Sequence, residues 1–211
     1  MLMARKQAWL TVLLVTVVAI FGGFIIKVAK QSKTELVLET ATLYPQARAL
    51  SSFEAADQHG RRFDNTQLHG KWSLMFFGYR SCPDICPTTL ATLTSVQKNL
   101  PPEIQTVVQM IFVTVDPERD SHEKLNEYAG FFSPYLIALH LSEPVLAVFA
   151  RDIGVAYVKV PQGDTYVMDH SVRIFLINPR GERHAIFSPT VGTQGFSVEK
   201  VASDLRAIMA H

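Results

Sequence analysis

Both cysteines of the chain fall in one segment, Phe77-Gly78-Tyr79-Arg80-Ser81-Cys82-Pro83-Asp84-Ile85-Cys86-Pro87. Sulfurs four positions apart, as these are, lie across one turn of chain. They can close a disulfide or point at one metal ion, and both outcomes are open to the same segment. Prolines flank the pair, and the segment joins an apolar run to a helical one. That setting argues against two inert structural thiols. Cys86 is expected in the first turn of the helix, beside unpaired backbone N–H groups and the positive end of the helix dipole. Such a position lowers a thiol pKa and makes thiolate available.

Two sulfurs are too few for a tight, selective metal site, so a third donor is needed. The chain has seven histidines. His59 and His69 adjoin glycines in turns and are expected in solvent. His122 falls in the first turn of a helix, His211 is terminal, and His140 and His184 sit at strand edges; each reads as structural. His170 differs, because Met168-Asp169-His170-Ser171 directly precedes the apolar run Val172–Ile177. That puts the imidazole at an edge of the sheet, where it can face the cysteine loop. Of the soft thioethers nearby, Met75 reads as core and Met168 as a weak candidate. Two thiolates and one imidazole suit a soft or borderline ion. Copper binds such N/S sets most strongly among first-row divalent ions, and thiolates also favour Cu(I). Zinc accepts the same donors, but a structural zinc closes its fourth position. Three ligands leave copper accessible to a partner.

The elements that must hold these residues are legible as periodicities. Leu50–Ala56 and Arg61–Asp64 read as a small hairpin about a glycine turn. Trp72–Phe77 is a short apolar run and reads as a buried strand. Pro87–Leu100 places Leu90, Leu93, Val96 and Leu100 on one helical face. Val107–Val115 is a second buried strand, so strand, helix and strand form a βαβ unit, with the cysteines at the carboxyl end of the first strand. In open α/β sheets, ligand sites form there. Ser121–Phe132 and Glu143–Ile153 read as helices, the second closed by Gly154. Tyr135–Leu139 and Val155–Val160 read as strands. Val172–Ile177 and Arg183–Phe187 should pair across the Asn178-Pro179-Arg180-Gly181 turn. Phe196–Met209 is a terminal helix. The fold class is α/β, with a mixed central sheet flanked by helices.

Composition narrows the function further. In 211 residues, 20 Lys+Arg face 19 Asp+Glu, a net charge of +1 that offers no basic face for nucleic acid. The two cysteines exclude a multi-disulfide scaffold or a Cys₄ cluster. The excess apolarity lies in Ala8–Ile26, 19 residues without a charge. As a helix it would span roughly 28 Å, close to a bilayer core of about 30 Å. Arg5 and Lys6 precede it and Trp9 sits where an interfacial aromatic belongs. Lys27-Val28-Ala29-Lys30 makes a poor cleavage site, so residues 1–26 read as an uncleaved anchor. Residues 27–49 read as a stalk and 50–211 as the globular domain. Lysines on both flanks leave sidedness open. So few residues precede the span that a transit peptide does not fit, which favours a bacterial membrane.

Three blocks together resemble a known family. Phe77–Leu90 with its two cysteines, Val115-Asp116-Pro117-Glu118-Arg119-Asp120, and Met168-Asp169-His170-Ser171 are similar to the signature blocks of the SCO/SenC copper chaperones. The resemblance implies a thioredoxin-like fold on a membrane tether, with the domain in the bacterial periplasm or mitochondrial intermembrane space. It implies copper held by Cys82, Cys86 and His170. It also implies delivery to the dinuclear copper centre of cytochrome c oxidase subunit II, or to another copper-accepting protein, or maintenance of that centre's cysteines in the reduced state. Arg80 and Ser81 stand where the family often has Thr and His, neither a ligand position. The Asp116–Asp120 block is expected to cap the following helix and shape a loop near the site. Taken together, the expectation is a single-pass protein of the bacterial inner membrane carrying a periplasmic copper-binding domain.

The alternative is a thiol–disulfide oxidoreductase using Cys82 and Cys86, which would keep partner cysteines reduced. Against it, thioredoxin-type redox motifs have two residues between the cysteines, not three, and carry a proline where Asp169-His170-Ser171 stands. A peroxiredoxin-like peroxidase would want a single peroxidatic cysteine, which the pair does not provide.

Overall fold

Among the described residues, eight strands form one main sheet. The computed structural model describes residues 36–193 and 195–211. The stretch Ala8–Ile26 and the first part of the stalk lie outside the described residues. Among those described, no helix is long and apolar enough to cross a membrane. In chain order the elements are β1 (Ala41–Ala49), β2 (Glu54–Asp57), β3 (Arg62–Asp64), β4 (Trp72–Gly78), α1 (Ile85–Lys98), the short α2 (Pro102–Gln105) and β5 (Val108–Thr114). There follow α3 (His122–Phe132), β6 (Leu136–His140), α4 (Glu143–Ile153), β7 (Tyr157–Gln162), β8 (Thr165–His170), β9 (Ile174–Ile177), β10 (Glu182–Phe187) and α5 (Val198–Ala210).

The order in the main sheet is β1-β10-β9-β4-β5-β6-β2-β3; β4, β5 and β6 run parallel, and β9, β10 and β1 continue antiparallel on one side. The β4 sequence explains its central place: Leu74, Met75, Phe76 and Phe77 are fully buried. A strand covered on both faces reads as an unbroken apolar run. Phe76 packs beside Phe112 of β5, which meets Tyr128 of α3. Phe77 points the other way, to Phe149 of α4 and Phe175 of β9. Helices thus cover both faces, as expected. Local signals set the helix ends. Ser121 accepts a hydrogen bond from the Lys124 amide, and Gly154 closes α4 in the left-handed region at φ 95°.

Two parts differ from the sequence reading. The stalk read over residues 27–49 does not extend that far, because Ala41–Ala49 is an edge strand paired with β10. The Asp204 carboxylate of α5 fixes its start by accepting the amides of Glu39, Thr40 and Ala41. The second difference is β8. Thr165–His170 pairs with β7 as a two-stranded sheet of its own, outside the main ladder. His170 therefore ends a hairpin instead of merely preceding β9.

Candidate metal centre

Cys82 and Cys86 follow the carboxyl end of β4, with Cys86 in the first turn of α1. His170 reaches them from the end of β8. The three ligand atoms lie within 4.8 Å of one another. The Cys86 sulfur stands 3.4 Å from His170 Nε2. Thiolate and imidazole ligands with bonds of about 2.0–2.3 Å to one ion sit roughly 3.5–4 Å apart. Small movements would thus bring these atoms onto a single ion. Among the described residues, these three are the only cluster of His, Cys, Asp and Glu of that kind.

The walls are aromatic. Phe76 and Tyr79 meet the His170 ring edge-on, at centroid distances of 6.0 and 6.1 Å. His170 Nδ1 lies 3.3 Å from the Ser171 carbonyl oxygen, which can only accept. Nδ1 therefore donates its proton there, and Nε2 is left facing the two sulfurs. Fixing the tautomer through the second nitrogen is how proteins orient a metal-binding histidine. Beside the ring, a groove of about 320 Å³ is lined by Tyr157, Val158 and Asp169. Gly78 forms the floor beneath Cys86, where a side chain would collide with the sulfur.

The two thiols are free, Cys82 half-buried and Cys86 buried. Their acidities reverse the sequence expectation. A hydrogen bond from Cys86 is the main influence that pulls Cys82 down to about 4, helped by His170 and by the amides of Asp84 and Cys86. Cys86 is pushed up, because its S–H donates to the Cys82 thiolate and is buried. Helix position does favour a thiolate at Cys86. Burial of that sulfur and a neighbour already charged outweigh it. The pair shares one proton, and Cys82, the less buried residue, is the one without it.

The remaining histidines are placed as read. His59 and His69 are exposed. His122 and His140 each have one ring nitrogen at a backbone carbonyl oxygen, of Asp57 and Pro117 respectively. His184 lies edge-on to Trp72, and burial lowers its pKa. Met75 is core, and Met168 is buried. Sequence reasoning missed Gly78, Phe76 and Tyr79 as parts of the site, and it missed β8. The run Thr165-Tyr166-Val167 is rich in strand formers and could have found the last of these.

Comparison with known proteins agrees with this geometry. The chain matches the SCO1/SenC family over residues 41–210. The human mitochondrial protein SCO2 homolog is 32% identical over 197 residues, covering 90% of this chain and 70% of its own length. A solved Bradyrhizobium japonicum ScoI with copper bound is 33% identical, with a TM-score of 0.65 over 75% of this chain and 98% of the other. BsSco, described as a member of the Sco family of cytochrome c oxidase assembly proteins and as having a disulfide switch, is 25% identical with a TM-score of 0.62. That alignment covers 80% of this chain and 98% of the other. With a family match over most of its length and the three blocks gathered around one site, this chain belongs to the SCO1/SenC family.

Proposed function

We propose that this protein is a membrane-tethered copper chaperone. It takes copper on Cys82, Cys86 and His170 and passes it to the dinuclear copper site of cytochrome c oxidase subunit II. The observation that carries this reading is the convergence of two sulfurs and one imidazole within 4.8 Å at the carboxyl edge of the sheet. The copper-bound ScoI and the oxidase-assembly role stated for BsSco support it.

Transfer follows from the unequal thiols. Copper arriving from solvent or a donor meets the Cys82 thiolate first, because it is charged and is the less buried of the two. Cys86 then binds and releases its proton to solvent, and His170 supplies the third bond through Nε2. Copper leaves by ligand exchange: an acceptor thiolate bonds to it as one of these three donors lets go, with no change of oxidation state required. The apolar stretch Ala8–Ile26 would hold the domain at a bacterial inner membrane, on the periplasmic side. The 19-residue apolar length of that stretch supports the anchor, and the periplasmic side rests on the family reading alone.

Copper titration against a competing chelator tests the ligand set. Cys82→Ala, Cys86→Ala and His170→Ala should each weaken binding by at least about a hundredfold while the domain keeps its melting profile. Normal binding by His170→Ala would remove the third ligand from the account. A second reading, thiol–disulfide exchange, is favoured by the two neighbouring free thiols, with Cys82 held well below the usual thiol range by its Cys86 hydrogen bond. A reduced dithiol is also what copper requires, so the two activities are compatible in one molecule.

A further inference from the structure

The block Asp116–Asp120 does not cap α3, since Ser121 does that. It fastens both arms of the metal site instead. Asp120, fully enclosed, accepts the Thr114 hydroxyl at 2.6 Å and the Arg80 amide at 3.0 Å. Arg80 belongs to the cysteine loop. On the other side, Asp116 accepts the Tyr166 hydroxyl at 2.8 Å and pairs with Arg119 Nε. Arg119 Nη1 donates to the Tyr166 carbonyl at 2.9 Å. Its guanidinium lies 3.7 Å over the Tyr166 ring, and 5.9 Å from the centroid of Tyr79, the residue that walls His170. Tyr166 is on β8, four residues before His170.

Among the described residues, the hairpin β7–β8 has no partner strand in the main sheet. The Ala156–Ser171 backbone bond closes its base, and its hold on the body comes from the buried Met168 and from side-chain ties, among them the Tyr157 hydroxyl donating to the Glu143 carboxylate. Lys159 adds an exposed pair with Glu118, which screening leaves weak. Arg119 is another matter: it has the Asp116 ion pair behind it, the Tyr166 carbonyl ahead and the Tyr166 ring beneath. Only a planar fork makes all three at once.

We propose that Arg119, together with Asp116 and Tyr166, is a latch that holds the β7–β8 hairpin against the body and so sets the reach of His170 to the Cys86 sulfur. These are positioning residues, not ligands. The proposal rests on the reading that Cys82, Cys86 and His170 bind one copper ion. If the latch opens, the hairpin moves and the fraction of molecules with Nε2 in reach falls. Apparent copper affinity then falls by the same factor.

The test uses the full chain in detergent, with Arg119→Ala and Tyr166→Phe. Tyr166→Phe keeps the ring and removes only the bond to Asp116, so it serves if the alanine variant does not fold. With Cu(II) bound, Arg119→Ala should keep its sulfur-to-copper charge-transfer band. The imidazole nitrogen splitting in the electron paramagnetic spectrum should weaken, and affinity should drop about tenfold. Added imidazole should restore the splitting. Without copper, amide exchange at Met168–His170 should rise several-fold while β4 and β5 exchange as before. Tyr166→Phe should move the same readouts by less. Wild-type splitting together with wild-type exchange in Arg119→Ala would overturn the latch. Should His170→Ala itself keep the splitting, the three-ligand reading fails, and the metal-free exchange result alone then decides the latch.

Discussion

A Cβ built on Gly78 stands 2.8 Å from the Cys86 sulfur and 3.1 Å from the rings of Phe76 and Phe112. The backbone here is ordinary strand, so this glycine serves close approach and not a special turn. Both rings are fully buried and cannot yield. Gly78→Ala must therefore move the sulfur. Overpacking of this kind costs about 1–3 kcal/mol, and denaturant melts should show a loss of that size. Chelator competition should show copper binding weakened by about tenfold or more, because Cys86 is pushed out of line with His170. Unchanged affinity would mean that the floor does not set the sulfur's position.

The two thiols should react unequally. With Cys82 at about 4 and Cys86 above its ordinary value of 9.0, Cys82 is the nucleophile at neutral pH. Alkylation of the reduced, metal-free protein near pH 6 should mark Cys82 and spare Cys86, read by peptide mass spectrometry. Stability follows the same proton. Native Cys82 has lost a proton that the unfolded chain keeps up to about pH 9. Its contribution therefore grows between about pH 4 and 9 and is lost as pH falls through the native value. Cys86 acts oppositely: its contribution is full below the unfolded value and is lost as pH climbs toward its own raised one. The stability gap between wild type and Cys82→Ser should widen from about pH 5 to 8; a flat gap would count against the assignment.

The chain declares some of this in its sequence and hides the rest. The βαβ unit and the helix from Glu143 to Ile153 are legible because burial periodicity and Gly154 are local facts. The ligand set is legible because its residue types are scarce. β1 was hidden because it is an edge strand carrying Pro45, and the pairing register shifts between Leu43 and Arg48 around it. Proline is tolerated at edges and bulges, so such a strand reads as a linker. The acidity of Cys86 was hidden because helix position is local, whereas burial against Gly78 comes only with the fold. The role of Arg119 was hidden because its partner Tyr166 is 47 residues away.

The edge strand has its own consequence. The Asp204 carboxylate receives the amides of Thr40 at 2.7 Å and Ala41 at 2.9 Å, and the Thr40 hydroxyl at 2.8 Å. Asp204 itself is only 3% exposed. Asp204→Ala strands these buried donors and should cost about 3 kcal/mol in a urea melt. A fragment starting at Leu50 should be less stable than one starting at Leu38, because removing β1 uncovers β10. Equal stability of the two would make β1 dispensable, and the earlier domain start would stand.

Oxidation separates carrying copper from exchanging thiols. When a mild oxidant such as diamide takes two electrons and two protons from Cys82 and Cys86, the resulting disulfide has no thiolate to offer. Copper binding should vanish and return with a thiol reductant. His170→Ala divides the roles differently. The chief influence lowering the Cys82 thiol is Cys86, with His170 secondary. This variant should therefore react with an aromatic disulfide within about threefold of the wild-type rate while holding copper weakly. Expressed in cells lacking the wild-type protein, His170→Ala should leave cytochrome c oxidase without its copper if delivery is the task. Full oxidase assembly by that variant would instead assign the protein to keeping partner cysteines reduced, because the thiols it retains suffice for that.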